Sequence, residues 1–439
     1  MIISTLFHYE WLHFRRSPYK VAALVLFVLT AIYGLWNGHA LYLERQAEIE
    51  KMEAAAEEPR REAIDWLQTG KAGPEDRPWV NVGEPFWAMW YATHYAYHRP
   101  SPLMTYSIGQ AEQFGFYKRI SMWSTPYDGD LTAELSNPER MAIGALDFSF
   151  VWLFLMPLLL IILTYSVNGL ERDLGFSNLL GVQQPNRIRW ITGRLLAIGG
   201  FLAALLGALI AAPALGGGYF FSHFASLALL AAYLLAYLLL WLLLFGLIAY
   251  YGKGQTDQAL KMIGLWLLLA VVLPATLQQV TALRYPASYL LEFIDAQREE
   301  GEAVFEKDFS EIQAEVFGRY PNLQQTYWAR QDSVSNQDAR NSAYRMVYTL
   351  LMKKVSEEIN SQQEARNAFI RSTYLLNPVI AFQNRVNAIA ETDFDADLGF
   401  RNVIQKAALQ INERLLMDEW DGVKADTALF KTYGQIVGR

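Results

Sequence analysis

Five stretches of this chain are long and apolar enough to cross a lipid bilayer as helices, and nothing else in the sequence limits the fold as tightly. A hydrocarbon core of roughly 30 Å takes about 20 residues at the helical rise. Residues 21–41, 142–165, 195–215, 224–251 and 262–283 each satisfy that requirement. None holds a Lys, Arg or Glu in its interior, and Asp147 sits near one end of the second, where a carboxylate can reach the interface. The expected fold class is an all-α membrane protein. The first run is too long for the apolar region of a secretory signal, so it reads as an uncleaved anchor.

Hydrophobic residues make up 53% of the chain, yet 18% is charged, so the apolar residues must be gathered into blocks. There is no cysteine, which excludes disulfide scaffolds, cysteine metal sites and thiol catalysis. A net charge of -7 argues against a nucleic-acid partner. Segments 1–20, 167–194 and 251–261 would share one side of the membrane, and they hold nine Lys and Arg against four acidic residues. Short basic flanks belong in the cytoplasm. The amino terminus is therefore expected inside, and two large blocks, 42–141 and 284–439, outside.

Within residues 1–20, Leu6, Phe7, Trp11 and Phe14 can share one helix face, with Arg15 and Arg16 at its end and Pro18 breaking it. This reads as an interfacial helix feeding the span 21–41 at an angle, or as an ordinary basic flank. Residues 42–69 are charged and helical and extend the first span as a stalk. Residues 79–127 gather many aromatics, which form a small core or line a ligand path. Pro157 is expected to kink the second span, and Pro274 to interrupt the fifth. Beyond residue 283, apolar residues recur at helical spacing in three places, among them Tyr344, Tyr348, Leu351, Val355 and Ile359. That predicts a helical domain of the remaining residues, with no internal repeat and no strong strand alternation.

Catalytic motifs are missing. Gly252-Lys253 is followed by Gly254 instead of Ser or Thr, so no phosphate-binding loop forms there. His94 and His98 are spaced to share a helix face, with Glu112 as a third candidate, and could hold a metal; aromatic packing among Tyr91, Tyr95 and Tyr97 is the plainer reading. No nucleophile elbow occurs, and no paired carboxylates lie within the spans.

The connection over residues 166–194 carries the most information. An apolar run ends at Asn168-Gly169, then come Glu171-Arg172-Asp173, Gly175, a short amphipathic segment from Phe176 to Val182, Pro185, and basic residues leading into the third run. The charges either mark a helix end at the interface or dock, together with the amphipathic segment, in a groove of a cytoplasmic partner.

With those residues in view, segment 147–194 resembles the central block of ATP-binding-cassette exporter permeases of the bacterial type-2 superfamily. The shared pattern is Pro157-Leu158, Glu171-Arg172-Asp173-Leu174-Gly175, a coupling helix over residues 177–180, and a basic return from Arg187 to Arg194. The amphipathic stretch ending at Arg16 is similar to that superfamily's interfacial elbow helix. Arg99-Pro100-Ser101-Pro102-Leu103 and Asn377-Pro378 with Thr392-Asp393 resemble segments of a subfamily with large extracytoplasmic inserts, both mostly helical. The resemblance implies a permease subunit of the inner membrane, with Glu171, Arg172, Asp173, Gly175, Phe176, Leu179 and Leu180 contacting an ATPase subunit that holds the ATP and magnesium. It implies a second permease beside this one, contact with membrane lipid, and envelope partners for the inserts. The spans lack charge, which suits an amphiphilic cargo. Phe176 stands where the superfamily usually has Thr, and the superfamily has six spans where five are found here. The missing span and the outer mass also fit a subunit that drives an extracytoplasmic assembly and moves no cargo. A membrane-anchored metalloenzyme using His94 and His98 is the third reading.

Overall fold

A computed structural model describes residues 2–93, 95–127, 146–176, 179, 182, 186–285, 289–331 and 334–436. It is 77% helix, with almost no strand. Among the described residues, five helical segments are long and apolar enough to cross a membrane: Pro18–Thr69, Phe148–Asp173, Arg187–Gly216, Phe224–Tyr251 and Gln255–Arg284. Helices are the form such segments must take, because backbone N–H and C=O groups find no water in hydrocarbon.

The helix Ile2–Arg15 precedes the first span. Ser17 separates the two in an extended conformation, its hydroxyl donating to the His13 carbonyl at 2.8 Å, and Pro18 opens the next helix where a missing N–H costs nothing. That helix then runs 52 residues without a break, so the apolar span and the charged stalk are one rod of roughly 78 Å. Gly70 closes it in the left-handed conformation. Gly34 and Gly38 let the rod pass very close to other backbone. A Cβ at Gly34 would lie 2.7 Å from the Asp147 carbonyl carbon, and one at Gly38 would lie 2.5 Å from the Thr105 oxygen. Small residues four apart are a common device for close approach between membrane helices.

The second span begins at Phe148, later than its apolar run predicts, because Asp147 is its N-cap. One carboxylate oxygen accepts from the Phe150 N–H at 2.7 Å and the Ser149 hydroxyl at 2.9 Å, and the other accepts from the Ile108 N–H at 2.8 Å. Asp147 is thus buried in a cap and not left at an open interface. Residues 142–145, expected in this span, lie outside the described residues. The third and fifth spans begin earlier than predicted, since their polar first turns are also helical.

Both prolines expected to distort spans sit two residues after a single π-turn, Val151–Leu155 before Pro157 and Leu268–Val272 before Pro274. Proline has no N–H, so the carbonyl four residues back loses its helical donor. For Pro157 that carbonyl belongs to Leu153, and the Tyr237 hydroxyl of the fourth span donates to it at 2.5 Å. The same region is stitched by two indoles, Trp152 to the Leu234 carbonyl at 3.2 Å and Trp266 to the Phe154 carbonyl at 3.1 Å.

The two large inserts are not separate domains. Ala63 of the stalk, Val80, Met89 and Ile120 share one apolar core with Phe400, Ile404, Ile411, Leu415, Phe430 and Tyr433. Beyond the stalk the first insert is less helical than expected. Its described residues form the helix Pro85–Ala92, short 3-10 turns and an antiparallel ribbon pairing Tyr95–Tyr97 with Tyr117–Arg119. The second insert is built on two long helices packed together, Gln337–Ser372 and Phe394–Trp420. Between them, the helix Pro378–Ile389 leaves this mass and seats itself among the spans. Val379 and Val386 are fully buried there, and the Phe382 ring lies 5.1 Å from that of Tyr237. The expectation that residues 284–439 lie wholly apart from the spans is therefore corrected. An isolated twelve-residue amphipathic pattern does not say which apolar surface it will meet.

The proline geometry yields a test. Tyr237→Phe leaves a buried carbonyl without a donor and is expected to destabilise the protein by about 1–3 kcal/mol. In a Pro157→Ala background the backbone N–H returns, so the same substitution should cost far less. Denaturation of all four variants in detergent measures the difference, and equal costs in both backgrounds would refute the assignment.

Candidate functional site

The side of the spans opposite the large mass carries the basic flanks, and its connections meet at one buried guanidinium. Arg194, in the third span's second turn, is fully buried. Its Nε donates to Glu10 of the amino-terminal helix, and its Nη1 donates to Glu171 Oε1 at 2.6 Å. The rings of Tyr9 and Trp190 each lie 5.5 Å from it. Lys20 is buried nearby, donating to the Leu163 carbonyl at 3.2 Å and the Ser166 hydroxyl at 3.4 Å. The buried group thus contains two cations and two anions. A lone buried charge would cost several kcal/mol, so each needs the others. Burial, and then the Lys20 cation, hold the His13 imidazole below its ordinary pKa.

Glu171 reaches this position because the chain turns sharply just before it. Asn168 takes the left-handed conformation, which Asn tolerates better than most residues, and its amide donates to the Ala249 carbonyl at 2.8 Å. Gly169 follows where a Cβ would stand 2.9 Å from the Gln255 nitrogen. The short helix Gly169–Asp173 is thereby pressed against the loop between the fourth and fifth spans. Arg172 donates to the Gly252 carbonyl, and Asp173 Oδ2 accepts from the Gln255 N–H at 3.0 Å and its side-chain amide at 3.2 Å. Arg187 completes the block, donating to the Tyr250 carbonyl at 2.8 Å.

The expected docking residues therefore divide into two sets. Glu171, Arg172 and Asp173 are engaged inside the chain, so the idea that the acidic side chain of Glu171 itself enters a partner's groove is corrected. Asp173 remains exposed, and beside it four apolar side chains face outward. Leu174, Phe176 and Leu179 are each more than half exposed, and Val182 is 82% exposed. Gly175, left-handed at φ 76° with open space around it, turns the chain between Leu174 and Phe176. Leu180 lies outside the described residues, as do residues 177 and 178.

The amino-terminal helix packs on the third span. Trp11 and Phe14 stack together at 6.0 Å and both meet Phe201, while Arg15 and Arg16 are exposed at the helix end. The side chains of Leu6 and Phe7 lie outside the described residues. Sequence reasoning missed Glu10, Lys20 and Asn168. The available signal was their occurrence beside apolar runs, which does not distinguish a buried charge from an interfacial one.

The metal candidates can be followed only in part. His94 lies outside the described residues. The His98 ring packs 5.8 Å from Phe400, and burial holds its pKa below the ordinary value. Among the described residues no three His, Cys, Asp or Glu side chains are placed to share a metal ion.

Arg194→Leu would leave Glu10 and Glu171 buried without their cation. A loss of about 3–5 kcal/mol of stability is expected. Adding Glu10→Gln and Glu171→Gln to that variant should restore much of it. Thermal unfolding in detergent reads both effects, and a neutral single variant would show that the guanidinium is not essential to this junction.

Residues 291–433 match a family model described as a domain of unknown function (DUF3526). That range covers the second insert, including the helix seated among the spans. No curated protein and no solved structure matches the chain.

Proposed function

We propose that this chain is the membrane subunit of an ATP-driven exporter of the cassette type, working with a separate ATPase subunit and a second permease in a bacterial inner membrane. In this reading the basic side faces the cytoplasm and the large mass lies outside. The observation that carries it is the division at the second-to-third connection. Its three charged residues brace the segment against the spans, and Leu174, Phe176, Leu179 and Val182 present apolar side chains outward. A short stiff segment with an outward apolar surface is suited to sit in another protein's groove and pass on its motion. The chain itself supplies no nucleotide-binding loop, so ATP and magnesium belong to the partner.

A second reading is favoured by the helix Pro378–Ile389. Its burial among the spans joins the large mass firmly to them, which fits a subunit that transmits ATPase work to an envelope assembly without moving cargo. Crosslinks from the helical mass to envelope proteins, with no export of amphiphiles by reconstituted protein, would favour this alternative.

The absence of native cysteine makes the decisive test clean. With Phe176→Cys and Leu179→Cys, a membrane-impermeant maleimide should react only from the cytoplasmic side, and thiol crosslinking should capture the ATPase. Phe176→Glu with Leu179→Glu is expected to lower ATPase association roughly tenfold or more, as loss of a central apolar anchor does. Labelling of position 176 from the outside would end the proposal.

A further inference from the structure

On the side of the large mass, beside the fifth span, the protein has an open cavity of about 520 Å³. Its walls come from the carboxyl half of the fifth span, the end of the helix Gln337–Ser372, the helix Pro378–Ile389, and the start of Phe394–Trp420. The volume is that of a site for a small ligand or a lipid headgroup. Unlike the span core, the lining is polar, with three guanidiniums, two carboxylates and a series of side-chain amides.

The charges in this wall are not balanced in their pairing. Arg371 is ion-paired with Asp395. Asp393 caps the helix that follows it, accepting from the Ala396 N–H at 3.2 Å. Arg366 and Arg385 have no ion-pair partner among the described residues; Arg366 is half-buried and Arg385 is exposed at the cavity's edge. Asp393 keeps its charge while it caps, but three guanidiniums still outnumber two carboxylates in this wall; the excess suits an anion with several oxygens, and Arg is the side chain best shaped for phosphate.

The rim is apolar. Leu375 and Leu376, in the turn between the two wall helices, are 99% and 67% exposed, and the neighbouring Tyr374 and Asn377 line the cavity. The fifth span is also the barest of the five, with 11% of its most apolar stretch buried against 67% for the second span. Val280 and Leu283 stand exposed along it. A polar chamber bordered by bare apolar helix at the end of a membrane span matches an amphiphile, head inside and tails along the span.

We propose that this cavity binds the phosphate headgroup of a lipid-like amphiphile, with Arg366 and Arg385 as its charge partners and the fifth span and Leu375-Leu376 against its tails. The site stands on its own, whether or not an ATPase docks on the opposite side.

The full chain, delipidated in detergent, is titrated with phosphatidylglycerol, with diacylglycerol of the same tails, and with inorganic phosphate, and bound species are read by native mass spectrometry. Phosphatidylglycerol is expected to bind at least about tenfold more tightly than diacylglycerol, a preference that two charge-assisted contacts readily supply. Arg366→Gln with Arg385→Gln should abolish that preference, while Arg366→Lys with Arg385→Lys, which keeps the charge, should retain most of it. Lys353→Gln with Lys354→Gln, elsewhere on the same long helix, should leave it unchanged. Leu375→Ser with Leu376→Ser should weaken the lipid and spare inorganic phosphate. An intact preference in the glutamine pair overturns the proposal, as does equal binding of diacylglycerol. Inorganic phosphate binding as tightly as phosphatidylglycerol, with no effect of the serine pair, would assign the cavity to a free anion and overturn the lipid.

Discussion

Arg194 brings together three segments that are far apart in the chain. Its own residue begins the apolar part of the third span, Glu10 comes from the amino-terminal helix, and Glu171 comes from the end of the second span. Buried ion pairs add little net stability compared with apolar packing of the same volume, but they tolerate few alternative arrangements, because any misplacement leaves a charge without a partner. The consequence here is positional. Once Glu171 is held, Gly169 must lie against Gln255, and Arg172 and Asp173 fall beside the loop from Gly252 to Gln255. Two connections and the amino-terminal helix become one block, and the exposed apolar residues after Asp173 stand on a fixed base.

The spans themselves follow a second constraint of the same kind. A carbonyl that loses its helical donor inside hydrocarbon needs another donor nearby. Tyr237 serves Leu153, and the indoles of Trp152 and Trp266 reach carbonyls on neighbouring helices. These donors sit on apolar rings, so they enter a membrane interior at low cost while fixing the rotation of one helix against the next. Proline and aromatic positions thus act together, the first opening a backbone site and the second closing it.

Much of this was legible in the sequence. Twenty-residue apolar runs without charge have few fates, so the five candidate spans among the described residues could be read directly, and Pro157 and Pro274 announced distortion in the spans that carry the π-turns. The connection at residues 166–194 stood out by its composition alone. What could not be read was partnership. Glu171 looks the same in a sequence whether it faces a partner protein or a buried arginine, since its burial depends on Glu10 and Arg194 arriving from elsewhere. Asp147 looked like an interfacial carboxylate because the Ile108 N–H that binds it belongs to a distant loop. The helix after Pro378 showed an apolar face, but periodicity does not name the surface that face will meet. The polar cavity has no linear signature at all, as Arg366, Arg385 and the fifth span are neighbours only after folding.

These separate features also connect the two sides of the molecule. The second span is tied at one end to the Arg194 block through Glu171 and at the other to the aromatic cluster of Trp152 and Tyr237. Phe382 packs on Tyr237, and Asn387 on the same short helix accepts from the Ser107 hydroxyl, which lies 3.1 Å from the Ser149 hydroxyl at the start of the second span. That helix, between the two long ones of the outer mass, forms one wall of the polar cavity. A chain of packed and hydrogen-bonded groups therefore runs from the basic block, along the most buried span, to the cavity wall. Contact alone does not make a route for motion. It does set a condition on the proposed coupling: a displacement of the segment Gly169–Asp173 large enough to matter must either break the Arg194 cluster or carry the second span with it. Because breaking the cluster would leave the buried charges of Glu10, Glu171 and Arg194 apart, moving the span is the cheaper response, and the helix at Pro378 is the first element outside the spans that such a movement meets.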